Sequence, residues 1–171
     1  MMHTLSKTTK EVIYTTLDCQ MPIKVFQQWL LTHEKELQKE LPASLFKDLI
    51  SFDFNQPDCE SIIYDTLLPY LNLDDFNKWR TKTLLVQIVE NKIDPVLGAR
   101  NLSELYYKTG GNFIPASLGI AYDSELDNVP VPSEYHLWNE TQLREKLESI
   151  KEYTQAFINE AKVFLESLIK E

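Results

Sequence analysis

The chain is predicted to be mainly α-helical. It reads as a single-domain bundle of about six helices, with a short β-hairpin or irregular excursion before a long C-terminal helix. Three observations carry this expectation. Apolar residues recur at spacings of three and four through most of the chain, which places them on one face of successive helices. Prolines stand at positions where helices begin, and no Gly or Pro interrupts residues 139–171. All four glycines fall between Gly98 and Gly119, and Pro115, Pro130 and Pro132 follow closely, so irregular backbone is concentrated in one region.

Taken in order, residues 1–20 are polar and are expected to be extended or poorly ordered. Pro22 opens the first helix, in which Phe26, Trp29, Leu30, His33 and Leu37 repeat at helical spacing to about Glu40. Pro42 opens a second, with Leu45, Phe46, Leu49 and Ile50 on its apolar face. Pro57 opens a third that buries Ile62, Ile63 and Leu67. Pro69 then kinks or ends it, because proline lacks a backbone donor and clashes with the preceding turn. Asp74 is placed to cap a fourth, carrying Phe76, Trp79, Leu85, Ile88 and Val89.

Asp94-Pro95 is a cap followed by a first-turn proline, and starts a fifth helix through Val96, Leu97, Leu102, Leu105 and Tyr106. Gly110-Gly111 stops it, since glycine takes the left-handed conformation without steric penalty. Residues 110–137 form the irregular segment, with Phe113-Ile114 and residues 118–122 as candidate short strands. Asn139 caps the last helix, Gln142 completes a capping-box pattern, and Trp138 with Leu143 is placed for a hydrophobic staple. An unbroken helix of about 30 residues reaches roughly 45 Å. Such a length suits packing along the whole domain or, at its end, a homodimer contact. The alternative architecture is an α+β domain in which residues 11–17 pair with residues 118–122.

Composition restricts function. The 171 residues fit one domain, with enough apolar content (43%) to form a core without disulfides or metal. The net charge of −9 opposes general nucleic-acid binding, which needs a basic face; Lys78, Arg80 and Lys82 are the one modest basic cluster. Residues 1–50 balance their charges, so the negative excess belongs to residues 51–171. It is densest between Lys108 and Arg144, where Asp123, Glu125, Asp127, Glu134 and Glu140 occur without a lysine or arginine. No apolar run approaches membrane-spanning length, and Met1 to Cys19 lacks a signal-peptide core. Cys19 and Cys59 form no CxxC, so reduced thiols and a cytoplasmic location are expected.

The catalytic motifs fail on inspection. His33-Glu34-Lys35-Glu36-Leu37 opens like HExxH but has leucine at the second histidine position. Pro115-Ala116-Ser117-Leu118-Gly119 lacks the first glycine of a nucleophile elbow, so a Ser117–His136 hydrolase has little support. Phosphate-cradling glycine motifs do not occur, and no cofactor is expected. The acidic segment offers more. Asp123, Glu125, Asp127 and Glu134 occupy positions 1, 3, 5 and 12 of an EF-hand loop. Asn128 stands at the glycine position, however, and Pro130 and Pro132 interrupt the second half. Tyr122, Tyr135 and Trp138 flank these acids. Aromatic rings interleaved with carboxylates suit a basic protein partner, because rings supply buried area while carboxylates steer approach. Arg100 could pair with an acid of this segment and hold it against the bundle.

Gly98-Ala99-Arg100, Leu102, Leu105, Leu118-Gly119-Ile120, Asp123-x-Glu125-x-Asp127-x-x-Pro130 and Trp138 together resemble an uncharacterised bacterial family of small acidic proteins. That family is similar to some immunity-type proteins of polymorphic toxin systems. The resemblance covers residues 95–145, and it implies a compact cytoplasmic protein that works by binding a partner such as a toxin. It supplies no catalytic residues. The sequence therefore points to a contact surface made of Tyr122, Asp123, Glu125, Asp127, Glu134, Tyr135 and Trp138. The alternative is a carboxylate-based metal-dependent enzyme or metal-binding protein using Asp123, Glu125, Asp127 and Glu134.

Overall fold

The structure, a computed structural model, describes residues 5–170. Within them it is mainly helical and contains no strand. The chain divides into two compact units, residues 1–76 and 77–171, at a point where the sequence shows no linker.

In the first unit α1 spans Lys7–Leu17, so this part of the N-terminal region is helical rather than extended, and residues 11–17 form no strand. Residues 1–4 lie outside the described part. Ser6 starts α1 by accepting a hydrogen bond from the Thr9 amide at 3.2 Å. The helix ends at Cys19, an exposed residue in the left-handed region (φ 57°). The helix expected from Pro22 to Glu40 is two: α2 (Ile23–Thr32) and α3 (Glu34–Glu40). The break is at His33 (φ −109°, ψ 21°), whose Nδ1 lies 2.9 Å from the Trp29 carbonyl while its ring stacks on the Trp29 indole. α4 (Ala43–Ile50) follows Pro42 as expected, and α5 (Cys59–Leu67) follows a left-handed Asp58. Pro69 ends α5 in a 3-10 turn, Leu68–Tyr70.

α6 covers Leu73–Val89, and its cap is Asn72 rather than Asp74. The Asn72 Oδ1 accepts from the amides of Asp74 and Asp75 at 3.0 and 3.2 Å. Ile13, Phe26, Leu37, Leu45, Leu49, Ile63, Leu67 and Phe76 form the core of this unit and are almost wholly buried.

The second unit centres on α7, Pro95–Lys108. Its start is the one expected: Asp94 Oδ1 accepts from Val96 and Leu97 amides at 3.0 and 3.2 Å. Its end is Gly110 and Gly111, with φ of +63° and +75°. The Gly111 amide reaches back to the Tyr106 carbonyl at 2.9 Å, closing the helix.

The expected hairpin is absent. Pro115 instead begins a helical segment, its carbonyl accepting from the amides of Leu118 and Gly119. Residues Ser117–Ala121 make a π-helical turn that runs directly into α8, Tyr122–Leu126. This segment packs on α7 through Gly119. A Cβ built there would lie 2.5 Å from Cδ2 of Tyr106, closer than any side chain tolerates. After a 3-10 segment, Pro132–Leu137, α9 covers Glu140–Ser149 with Asn139 as its cap, accepting from Thr141 and Gln142 amides.

The long C-terminal helix also divides. α9 stops at Ile150 (φ −100°, ψ 0°), and α10 spans Lys151–Lys170. Near the joint the Ser149 hydroxyl donates to the Lys146 carbonyl and the Thr154 hydroxyl to the Lys151 carbonyl. Such local hydroxyl bonds compete with the regular ladder. The uninterrupted length becomes pieces of about 15 and 30 Å. Of the expected stripe Leu147, Ile150, Phe157 and Phe164, only Phe157 is fully buried; the other three pack at the margin. The inward face of α10 is Phe157, Ala161 and Leu165, meeting Leu85, Leu102, Leu118 and Leu126 in one cluster. Among the described residues no helix is long and apolar enough to cross a membrane.

Two stability changes follow. Replacing Phe157 with alanine empties a fully enclosed site and should lower stability by about 3–5 kcal/mol, measurable by chemical denaturation. Thr81 is buried, and its hydroxyl has no hydrogen-bond partner among the described residues. Thr81→Val removes that unpaired group at nearly constant shape, and should raise stability by about 1 kcal/mol.

Candidate functional site

The acidic segment is held from one side by α7. Arg100 projects from that helix, about 29% exposed, toward residues 127–134. Its Nη2 donates to the Val129 carbonyl at 2.9 Å and lies 3.4 Å from that of Asp127. Its Nη1 stands 3.8 Å from Glu134 Oε2. The same Glu134 oxygen accepts from the Val131 amide at 2.9 Å. The pairing of Arg100 with an acid of this segment is thus present, and it extends to two backbone carbonyls. These carbonyls lie just past α8, where a helix end leaves acceptors without intrahelical partners. Leu126, Val129 and Val131 anchor the segment by turning inward.

The residues singled out from sequence separate into three groups. Tyr122 is structural. Its hydroxyl donates to Glu160 Oε2 at 2.9 Å, and its ring lies against those of Tyr153 and Phe157, at 5.0 and 5.1 Å. Glu134 is occupied by Arg100 and the Val131 amide. Glu125, Asp127 and Trp138 are exposed, whereas Asp123 and Tyr135 are half-buried. Burial, with the Asp94 carboxylate adding to it, raises the Tyr135 pKa. Sequence reasoning missed Leu137, an aliphatic side chain that is 73% exposed beside Trp138 at 38%.

The four acids are not brought together as a set of metal ligands. Asp123 and Glu125 sit on α8, while Glu134 turns to Arg100 from a different element. Among the described residues no three His, Cys, Asp or Glu side chains stand where one ion could be held. The EF-hand spacing is linear only; a helix at 122–126 replaces the loop that would wrap donors around calcium. Ser117 has a carboxylate partner rather than a histidine, donating to Glu160 Oε1. Glu160 therefore accepts from both Ser117 and Tyr122 and ties the π turn to α10. No sequence signal marks it, since it lies 38 residues from Tyr122. Comparison with family models, curated proteins and solved structures finds no match to the chain.

Burial comes first among the causes that push Tyr122 up to about 12, followed by the hydrogen bond to Glu160 and its negative charge. An unfolded tyrosine titrates near pH 10. The folded state therefore keeps a proton that the unfolded state loses. The resulting stabilisation is complete below about pH 10 and is lost as pH rises through about 12. The alkaline decline in stability should flatten over that interval in Tyr122→Phe, as thermal melts at successive pH values will show.

Proposed function

We propose that the protein works by binding a basic protein partner, in the manner of an immunity-type protein, through residues 123–138. The observation that carries this reading is the pairing of Leu137 and Trp138, apolar and solvent-facing, with the exposed carboxylates Glu125 and Asp127 in one ordered segment. A contiguous apolar patch rimmed by polar residues marks an interaction site. Tyr135, Leu137 and Trp138 supply area to bury, and Asp123, Glu125 and Asp127 supply the field that draws a cation in. Pro130 and Pro132 stiffen the backbone between them, which lowers the ordering cost of association. The partner to try first is a basic, toxin-type protein, sought among the products of neighbouring genes.

With that protein as ligand, Asp123→Lys combined with Asp127→Lys should slow association at least tenfold at low salt, the difference shrinking as salt is added. Leu137→Asp should speed dissociation instead. Folding should change by less than about 0.5 kcal/mol in the charge-reversed variant, because both positions lie outside the core. An unchanged association rate, or no complex with the wild-type chain, overturns the reading.

A further inference from the structure

We propose that Arg100 and Glu134 are positioning residues of this surface, and that the charge a cationic partner meets is confined to Asp123, Glu125 and Asp127. The inference rests on the reading of residues 123–138 as a contact surface, and it specifies which of the acids do the contacting.

The stretch from Thr109 to Leu143 contains no lysine or arginine, so its surplus carbonyls need a cationic donor from another element. Arg100 is that donor. One guanidinium serves the carbonyls of Asp127 and Val129 and lies beside the Glu134 carboxylate, three points on a segment that has little regular structure of its own. A planar fork of five donors can face several acceptors at once, whereas the ammonium of lysine is a compact point charge on a flexible stem. Glu134 works from the opposite side. Its Oε2 holds the Val131 amide while the guanidinium compensates its charge. It therefore closes the turn around Pro132 and contributes little net field outward. Among the described residues the acids on and just after α8 have no such cation: Glu125 and Asp127 are exposed, and Asp123 and Asp127 are four positions apart on one helical side.

Amide hydrogen exchange of the free protein tests the positioning role. The reporters are the amides of Val129, Val131, Glu134 and Trp138, each hydrogen-bonded within the segment. In Arg100→Lys they should exchange at least tenfold faster than in the wild type, while amides of Phe157–Leu165 in α10 keep their protection. Glu134→Gln retains an oxygen for the Val131 amide, so it should accelerate them less. Segment amides that exchange at the wild-type rate in Arg100→Lys overturn the role of the fork, and uniform acceleration throughout the unit makes Arg100 a general stability residue instead. The charge assignment is tested by titrating hexalysine into the labelled protein. Shifts should centre on Asp123, Glu125 and Asp127 and weaken after Asp127→Asn, but not after Glu134→Gln. Equal shifts at Glu134 overturn it. Neither measurement uses the natural partner. A chain that finds no basic protein partner thus defeats the proposed function alone, and an unaltered exchange pattern defeats this inference alone.

Discussion

The ring of Tyr106 lies between two stretches of backbone that carry no side chain. Gly119 faces its base, where an added methyl would stand 2.5 Å from Cδ2 and 2.7 Å from Cβ. Gly111 faces its hydroxyl end, where an added methyl would stand 2.9 Å from Cζ. The base of an aromatic side chain cannot swing aside without moving its own helix, so this contact sets the distance between α7 and the segment that follows Pro115. α8 takes its place from that distance. So does the reach of Arg100, six residues before Tyr106 on α7, to the carbonyls just past α8.

The region that follows is ordered without a sheet and with only short helices. Order comes instead from alternation. Leu126, Val129 and Val131 go inward; Asp127 and the residues from His136 to Trp138 stay in water. Apolar anchors and an arginine fork achieve here what a strand ladder does elsewhere, namely partners for the backbone and a single arrangement of the side chains. Glu160 performs the corresponding task on the α10 side, where one carboxylate receives hydroxyls from the π turn and from α8.

What could be read in the sequence was local chemistry. Asp94-Pro95, Gly110-Gly111 and Asn139 act through the backbone of their immediate neighbours, and each does in the fold what its residue type implies. The mainly helical class followed from periodicity in the same way. The breaks at His33 and Ile150 were hidden, because both interrupt an apolar pattern that continues across them. They depend on a ring stacked on Trp29 and on side-chain hydroxyls that bond to nearby carbonyls. The hairpin was misread because Leu118, Ile120 and Tyr122 satisfy a strand pattern as well as a helical one, and the decisive contact, Gly119 on Tyr106, joins residues 13 positions apart. Within the site, the pairing of Arg100 with an acid was open to the sequence reading, since residues 109–143 hold no lysine or arginine of their own. The roles of Glu160 and Leu137 were not, since nothing in their own neighbourhoods distinguishes them.

The π turn at Ser117–Ala121 has a consequence for phase. A wider turn accommodates an additional residue, and each residue of an α-helix advances the direction of its side chain by about 100°. In a regular α-helix one residue more at this point would rotate everything after it by that angle, whereas the wider turn absorbs it. Without that widening Leu126 would leave the interior and an acidic neighbour would turn toward it. The wider turn thus cancels an angular offset, and it is what keeps the apolar side of α8 on the core. A change of length by one residue is consequently absorbed in this short stretch by a switch between wide and ordinary turns, whereas within α7 it would redirect every side chain that follows.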